Sequence, residues 1–178
     1  MSLDLVPWRT APHLIAAPVT RALDALGWDD VEVAPIDPAL ADTAAFCAAY
    51  GWPPEASANC VVVAARRGER TTLAACVVLA TTRADVNSYV RRRLDARKAS
   101  FAAMEDAVRE SSMEYGGITP VGLPADWPLL VDSAVLAQER VVIGSGIRGS
   151  KLVLASARLA ELPGAEVCDG LARPAVDA

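Results

Sequence analysis

Two β-rich runs separated by a short charged segment constrain the fold of this chain more than any other feature. The runs are Cys60–Ala65 and Thr72–Ala80, and the segment RRGER (66–70) lies between them. This pattern is typical of a β-hairpin with a charged loop. The second run is apolar at every position from Ala74 to Ala80, so both of its faces need cover. We therefore predict that it is a central strand of a sheet.

Helical patterns lie on both sides of this hairpin. Pro18 suits the first turn of a helix that ends at Gly27. Asp37 and Pro38 suit the start of a second helix, which ends at Gly51. Beyond the hairpin we predict helices over 84–94 and 103–110, and strands over 98–102, 129–132, 140–143 and 166–168. This order favours one α/β or α+β domain with a mixed arrangement of strands.

Composition excludes several classes of protein. Of the residues, 53% are hydrophobic, but many of these are alanine, and only 5% are aromatic. No apolar run approaches the roughly 18 residues of a membrane-spanning helix, because Arg, Asp or Glu interrupts each one. The first residues, Met1 to Asp4, lack the basic and apolar parts of a signal peptide. We therefore expect a soluble, cytoplasmic domain rather than a membrane, secreted or disordered protein.

The cysteines and the single histidine favour no metal site. The four cysteines contain no C-x-x-C pair, and His13 is the one histidine of the chain. A zinc site needs closely paired ligands, and a Ser-His-Asp or Cys-His arrangement would depend on His13 alone. We therefore expect buried, reduced thiols and no metal.

The net charge of −5 argues against general coating of nucleic acid, which depends on neutralising phosphates. The basic residues nevertheless fall into two clusters, Arg91–Arg93 with Arg97 and Lys98, and Arg66–Arg67 with Arg70. Each cluster is either an ordinary solvated surface or a local basic face that binds an anionic partner.

The segment GSGIRG (144–149) matches the G-x-G-x-x-G pattern of dinucleotide-binding domains. It follows an apolar run and precedes Asp169 by about 20 residues, as that pattern requires. Only nine residues follow Asp169, however, whereas this motif belongs to the first βαβ unit of a larger sheet. The alternative is a glycine-rich turn that lets the backbone approach a ligand or another strand.

Two further features have a structural and a functional interpretation. In GGITP (116–120), adjacent glycines leave backbone N–H groups accessible to a carbonyl or carboxylate, but the loop could equally be a structural turn. Asp132 follows an apolar run and either caps a short helix or acts as a functional carboxylate at the end of a strand. The residues alone leave both alternatives open.

The order of these motifs resembles the YbaK-like family, the editing domains associated with prolyl-tRNA synthetase. The segments that carry the resemblance are YGGITPVGLP (115–124), LVDS (130–133) and VIGSGIRG (142–149), with a contribution from RKASFA (97–102). The resemblance implies a mixed, partly barrel-like sheet with surrounding helices. We divide the chain into a helical N-terminal extension (1–56), an editing domain (57–170) and a C-terminal tail (171–178).

The resemblance also implies a function. It predicts an aminoacyl-tRNA deacylase that hydrolyses mischarged aminoacyl-tRNA in trans, with no cofactor, tRNA as partner, an aminoacyl-tRNA synthetase as a further partner, and no role for membrane or DNA. The implied substrate-binding residues are Gly116, Gly117, Ile118, Thr119, Pro120, Gly144, Ser145 and Gly146. The implied tRNA contacts are Arg91, Arg92, Arg93, Arg97 and Lys98. Asp132 is implied to assist catalysis.

One position departs from the family pattern. Many members carry a lysine in a K-T-L-like stretch on the first strand of the conserved region, and Asn59 takes that position here. The change removes a cation but keeps a side chain that donates and accepts hydrogen bonds. We therefore place Asn59 at the catalytic position, with Lys98 or Arg148 as replacement cations. The alternative function is a non-catalytic module that binds tRNA ends or a small amino-acid-like ligand.

Overall fold

The computed structural model describes residues 1–175, which contain eleven strands and five α-helices. The strands are β1 (Val6–Pro7), β2 (Glu32–Pro35), β3 (Ala58–Arg67), β4 (Arg70–Leu79), β5 (Thr82–Ala84), β6 (Lys98–Phe101), β7 (Leu129–Asp132), β8 (Arg140–Gly144), β9 (Ser150–Ala155), β10 (Ala165–Cys168) and β11 (Ala172–Pro174). The α-helices are α1 (Ala17–Leu26), α2 (Thr43–Tyr50), α3 (Arg91–Arg93), α4 (Met104–Ser111) and α5 (Ser133–Leu136). Short 3-10 helices cover Trp8–Thr10, Pro12–Leu14, Pro38–Leu40, Pro54–Ala56 and Ser156–Glu161.

The predicted hairpin is confirmed as the centre of the larger sheet. Strands β3 and β4 pair antiparallel from Ala58 opposite Leu79 to Arg67 opposite Arg70, so the turn itself is only Gly68 and Glu69. The loop is shorter than predicted because the flanking arginines extend the strands. The sheet has the order β10-β7-β4-β3-β6, with β4 parallel to β7 and antiparallel to β3. The strand arrangement is therefore mixed, as expected.

Strand β4 is buried on both faces. Ala75 and Val77 belong to a core shared with α1 and the second sheet, whereas Cys76 and Val78 belong to a separate core on the opposite face. All four side chains are buried to 1% exposure or less. Because alternate residues of a strand point to opposite faces, this explains why the run is apolar at every position.

The second sheet is antiparallel throughout, in the order β1-β2-β9-β8. A parallel bridge between Ser57 and Val142 joins it to the start of β3. A short third pair consists of β5 and β11. In residues 1–175 the two larger sheets meet along one side without closing into a barrel.

The first 56 residues contain both predicted helices and also two strands that the sequence did not reveal. Helix α1 ends at Gly27, which has a φ of +65°, as predicted. The second helix starts at Thr43, later than predicted, because Asp37 caps a separate 3-10 turn. Strand β2 has only four residues and no clear alternation, although it pairs with β9 inside the sheet. The boundary at residue 56 stays a prediction.

Two other segments differ from their predicted conformation. The predicted helix over 84–94 begins as a π-helical turn, Val86–Val90, and continues as α3. The predicted tail includes β11, which pairs with β5, and residues 176–178 lie outside the described residues. Within the described chain, no helix combines the length and the apolar character needed to cross a membrane.

Candidate functional site

A cavity of about 590 Å³ opens where the two larger sheets meet. One wall is β3 from Ala58 to Val62, the part of the strand that precedes its first paired residue with β6, Val63. The other walls are β8 and β9, the turn that precedes α2, the first half of α4 and the GGITP loop. The cavity thus brings together segments that are far apart in the sequence.

The exposed edge of β3 presents backbone groups to the cavity. Ala80 N–H donates to the Ser57 carbonyl at 2.7 Å. Because hydrogen bonding alternates along an antiparallel pair, the backbone N–H and C=O groups of every second residue from Ser57 onward point toward β4. Val62 has the opposite orientation, since its carbonyl accepts from Ala102 N–H at 2.9 Å. The backbone N–H and C=O of Cys60 point away from β4, as those of Val62 do, but Cys60 lies beyond the end of β6. Its N–H and C=O therefore face the cavity.

Asn59 lines the cavity, and its catalytic role stays a prediction. The hydroxyl of Thr43, at the start of α2, donates to Asn59 Oδ1 at 2.6 Å. This contact fixes the orientation of the amide, because it uses the carbonyl oxygen of the side chain. The Asn59 NH₂ group makes no hydrogen bond within residues 1–175 and is free to donate to a ligand.

Lys151 also lines the cavity, and the sequence analysis did not identify it. It lies on β9, is 8% exposed, and donates from Nζ to the Ala41 carbonyl at 3.0 Å. Burial lowers the pKa of Lys151, and the nearby Cys47 and Asp42 oppose that effect in part. Its signal in the sequence is a lysine inside an otherwise apolar strand directly after the glycine motif.

The replacement cations suggested from the sequence lie elsewhere. Lys98 is at the far end of β6, opposite Arg66. Arg148 donates from Nε to the Pro38 carbonyl at 2.9 Å and approaches Asp42 at 3.7 Å, across the rim of the cavity. Neither side chain is part of the cavity wall.

The two glycine motifs interlock beside the cavity. Gly146 N–H donates to the Gly117 carbonyl at 2.8 Å, and Glu114 N–H donates to the Gly146 carbonyl at 2.8 Å. A methyl group on Gly144 would lie 2.4 Å from the Gly117 carbonyl oxygen. GSGIRG connects the antiparallel strands β8 and β9. A dinucleotide site would need the motif to join a strand to a helix, so that interpretation is excluded. The alternative, a glycine-rich turn that allows close approach of the backbone, is confirmed.

Only three of the eight predicted substrate-binding residues line the cavity, namely Gly116, Ile118 and Gly144. The other five lie outside the lining, and they are Gly117, Thr119, Pro120, Ser145 and Gly146. Ser145, for example, is fully buried and its hydroxyl lies 2.6 Å from that of Ser150. These five residues do not line the cavity, and their contact with a substrate stays a prediction.

Asp132 is a structural cap rather than part of the cavity. Its Oδ1 accepts from Ala134 N–H at 2.9 Å at the start of α5, and its Oδ2 accepts from Ala172 N–H at 2.8 Å at the start of β11. Both carboxylate oxygens are thus occupied, and the residue is buried. These contacts are those of the N-cap alternative, and the catalytic role of Asp132 stays a prediction.

The site lacks a thiol or imidazole suited to nucleophilic attack. All four cysteines are free, and burial raises the pKa of Cys60, the one that lines the cavity, so that it stays a neutral thiol. His13 is exposed and outside the cavity wall. Within residues 1–175, no group of three or more His, Cys, Asp or Glu side chains could hold a metal ion.

Exposed apolar side chains surround the mouth of the cavity. Phe101, Met104 and Tyr115 are 69%, 53% and 60% exposed, and all three line the cavity. Large apolar side chains at this level of exposure commonly mark binding surfaces. The mouth is therefore suited to a flat apolar group such as a nucleobase.

A basic edge leads away from this mouth along β6. Arg66 lies opposite Lys98 in the β3–β6 ladder, and Arg97 N–H donates to the Arg66 carbonyl at 2.9 Å. These three side chains are exposed and have no carboxylate within 4 Å among the described residues. We call Arg66, Arg97 and Lys98 the basic edge.

The remaining predicted tRNA contacts are less available. Arg93 donates twice to the Glu166 carboxylate, which neutralises its charge. Arg91 and Arg92 bond within their own helical turn, to the Asn87 carbonyl and the Ser88 hydroxyl. Arg93 is therefore a poor candidate for a phosphate contact.

Solved structures share this fold. A candidate trans-editing enzyme for prolyl-tRNA synthetase superposes with a TM-score of 0.73 at 20% identity, over 85% of this chain and 93% of that protein. A hypothetical protein superposes with a TM-score of 0.76 at 21% identity, over 88% of this chain and 99% of that protein. A scaffold protein from computational epitope grafting superposes with a TM-score of 0.74 at 20% identity, over 86% of this chain and 95% of that protein. At these identities the likeness establishes the fold alone.

The sequence itself matches a family model. The model describes the aminoacyl-tRNA editing domain, and it matches residues 37–162, well over half of the chain. The matched region includes every cavity-lining segment, from the turn before α2 to β9. The chain therefore belongs to the family of aminoacyl-tRNA editing domains.

Proposed function

We propose that this protein is an aminoacyl-tRNA deacylase that acts in trans in the cytoplasm, where charged tRNA is used. The observation that carries the proposal is the cavity of about 590 Å³ with an exposed apolar mouth. Its volume is ample for an aminoacyl group together with the adjoining ribose, and its mouth suits the nucleobase that follows. Family membership supports aminoacyl-tRNA as the substrate class.

The proposed reaction is hydrolysis of the ester that joins the amino acid to the terminal ribose. A water oxygen bonds to the carbonyl carbon, and the carbonyl electron pair moves onto its oxygen. The intermediate then collapses, the carbon–ribose oxygen bond breaks, and the ribose oxygen takes up a proton from the added water. The products are a free amino acid and a tRNA with a free terminal hydroxyl.

The cavity supports this reaction by position and electrostatics rather than by a protein nucleophile. The Asn59 NH₂ group and the backbone N–H of Cys60 are fixed donors at its edge. Fixed donors aimed at a developing negative charge are commonly the largest single contribution to such catalysis. Cys60 contributes its backbone and not its sulfur, because burial keeps the thiol neutral.

Selection by size explains why a second site of this kind is useful. One methylene group in an apolar pocket changes binding by only about 1–3 kcal/mol, so a synthetase cannot reject every smaller amino acid. The wall at Gly116 and Gly144 is formed by backbone, which the close contact between the two glycine motifs holds in place. A fixed backbone wall gives the cavity a defined shape against which an aminoacyl group is selected.

The mouth and the basic edge provide a path for the tRNA end. Phe101 ends β6 at the mouth, and Lys98 begins the same strand. Three residues along a strand span roughly 10 Å, so a base stacked on Phe101 leaves the preceding phosphates within reach of the basic edge. Stacking on aromatic side chains combined with nearby cations is typical of proteins that bind single-stranded nucleic acid.

The central test is a deacylation assay on a panel of mischarged tRNAs, among them Ala-, Cys- and Ser-tRNAPro. We expect at least one substrate to be hydrolysed well above the spontaneous rate. Asn59→Ala removes a fixed donor and is expected to lower the rate by roughly tenfold to 100-fold. A matched Asn87→Ala change, remote from the cavity wall, is expected to keep it.

The second candidate function is a binding module without catalysis, and Asn59 at the family's lysine position favours it. This alternative predicts tRNA binding with no hydrolysis of any member of the panel. Such a result would remove the deacylase assignment and retain tRNA as the ligand. A synthetase partner is compatible with either function.

The basic edge is tested by neutralising Arg66, Arg97 and Lys98 together to glutamine. We expect tRNA affinity to fall at least tenfold at low salt, and the slope of log K against log salt to become shallower by about 2, since each phosphate contact contributes about 0.7–0.9. A control variant with the same change in charge replaces three exposed arginines on other surfaces, Arg9, Arg21 and Arg109. Equal losses in the two variants would show that only net charge matters.

A further inference from the structure

Lys151 is a buried charge without a charged partner. Among the described residues it is the one cationic side chain that lines the cavity, and no carboxylate lies within 4 Å of it. An ammonium group has three N–H donors, and the Ala41 carbonyl accepts only one of them. Burying an unpaired charge is unfavourable, so its retention here indicates a ligand that completes its hydrogen bonds.

The fold holds this ammonium group in a fixed place. Lys151 lies within β9, paired with Ala34 of β2 on one side and Gly144 of β8 on the other. Its Nζ is 5.5 Å from the centre of the Phe46 ring, and the Ala41 carbonyl anchors its end. A long side chain held in this way loses little further entropy when it binds a ligand.

Lys151 and Asn59 are connected through one short segment. Ala41 accepts from Lys151, and Thr43, two residues later, donates to Asn59. The two side chains therefore approach the same part of the cavity, from β9 and from β3. The cation on β9 thus lies near the uncharged Asn59 side chain of β3.

On the basis of the proposed function, we propose that Lys151 stabilises the negative charge that forms on the ester carbonyl oxygen during hydrolysis. The ammonium group stays protonated throughout and donates to that oxygen as the carbonyl electron pair moves onto it. The proton that the leaving ribose oxygen acquires comes from the attacking water. Lys151 therefore supplies charge and takes no part in proton transfer.

The same charge orients the substrate. An aminoacyl ester carries a positive α-amino group, which Lys151 repels, and a carbonyl oxygen, which it attracts. Asp42 is the one carboxylate on the described cavity wall and lies at the rim. The α-amino group is accordingly expected toward Asp42 and the carbonyl toward Lys151.

Kinetics provide the first test. Lys151→Met is expected to lower kcat by roughly 100-fold to 1000-fold, as for other losses of an oxyanion donor, with KM changed less than about threefold. The matched control, Arg21→Met, removes an exposed cation on α1 and is expected to keep the parent rate. A kcat for Lys151→Met within threefold of the parent value would overturn the proposal.

Stability separates this role from a structural one. Because removal of a buried unpaired charge relieves a cost as well as losing one hydrogen bond, the melting temperature of Lys151→Met is expected within about 4 °C of the parent. If this variant does not fold, Lys151→Gln replaces it, since an amide can still donate to the Ala41 carbonyl. Lys151→Gln with the parent kcat would also overturn the proposal.

Binding provides a test that does not depend on turnover. The parent is expected to bind a phosphonate analogue of an aminoacyl adenosine, tetrahedral and anionic, at least tenfold tighter than the uncharged amide analogue. Lys151→Met, or Lys151→Gln in its place, should lose that preference, and retention of the preference would overturn the proposal. If the parent preferred the phosphonate but hydrolysed no tRNA, the deacylase assignment would fall while the anion-binding role of Lys151 stood.

Asn59→Lys completes the series. If Lys151 already supplies the cation, a second lysine at Asn59 adds repulsion, and we expect a rate no higher than that of the parent. A tenfold or greater gain would show that the cavity lacks a working cation, and it would overturn the assignment of Lys151.

Discussion

Gly144→Ala is expected to unfold at a temperature roughly 6–12 °C below that of the parent chain. Its deacylation activity is expected to disappear over the temperature range in which it unfolds. The added methyl group would meet the Gly117 carbonyl oxygen at 2.4 Å and the Ile118 carbonyl oxygen at 2.8 Å. Both contacts are with backbone, which cannot rotate away as a flexible side chain can. Overpacking of this kind costs about 3 kcal/mol at the upper end of its usual range, and each kcal/mol shifts the midpoint by about 2–4 °C in a chain of this size.

Gly149→Ala is the matched control for this prediction. It changes the last glycine of the same motif, where the added methyl group would meet only Pro38 Cγ at 3.6 Å, an ordinary contact. We expect its melting temperature to stay within about 2 °C of the parent. Thermal unfolding of both variants, followed by circular dichroism, measures the difference. Equal midpoints for the two variants would contradict the interlocked packing of the motifs.

The interlock also explains why shape and stability are coupled in this site. Gly144 and Gly116 form part of the cavity wall, and Gly117 lies directly behind it. A change that enlarges either loop therefore moves the wall as well as the backbone contact. The shape of the cavity wall and the close packing of the two loops therefore depend on the same glycines.

Features determined by local sequence were predictable. The hairpin followed from two β-rich runs around a charged turn, and the central position of β4 followed from its continuous apolar character. Helix α1 was marked by Pro18 and Gly27 at its ends. The family resemblance located the glycine loops, because their residue types and spacing are distinctive even in a single sequence.

Features that depend on contacts between distant segments were not predictable. Strand β2 is too short to show alternation and is defined by its pairing with β9. Lys151 belongs to the site because β9 places it beside the turn at Ala41, 110 residues earlier in the chain. Periodicity reports which face of an element is apolar, but not which other element covers that face.

Asp132 shows the same limit, since the sequence left its two interpretations open and only a distant contact distinguished them. The Ala172 N–H, 40 residues later, donates to the oxygen that the helix cap leaves free. Asp132→Ala therefore removes two partly buried hydrogen bonds at once. We expect the free energy of unfolding to fall by about 3 kcal/mol. Loss of the N-cap contributes about 1 kcal/mol of this, and the unpaired Ala172 N–H contributes about 2 kcal/mol.

Asp37→Ala is the matched control, because Asp37 caps a 3-10 turn through one exposed hydrogen bond to Ala39 N–H at 2.9 Å. The free energy of unfolding of Asp37→Ala is expected to fall by less than about 1 kcal/mol, since water replaces the missing acceptor. Denaturant unfolding measures both variants, and deacylation is assayed at a temperature where each is folded. If Asp132 acts only as a cap, folded Asp132→Ala keeps a rate within about threefold of the parent. A folded variant with a rate 100-fold lower would instead return Asp132 to the reaction, through a carboxylate that lies outside the cavity wall.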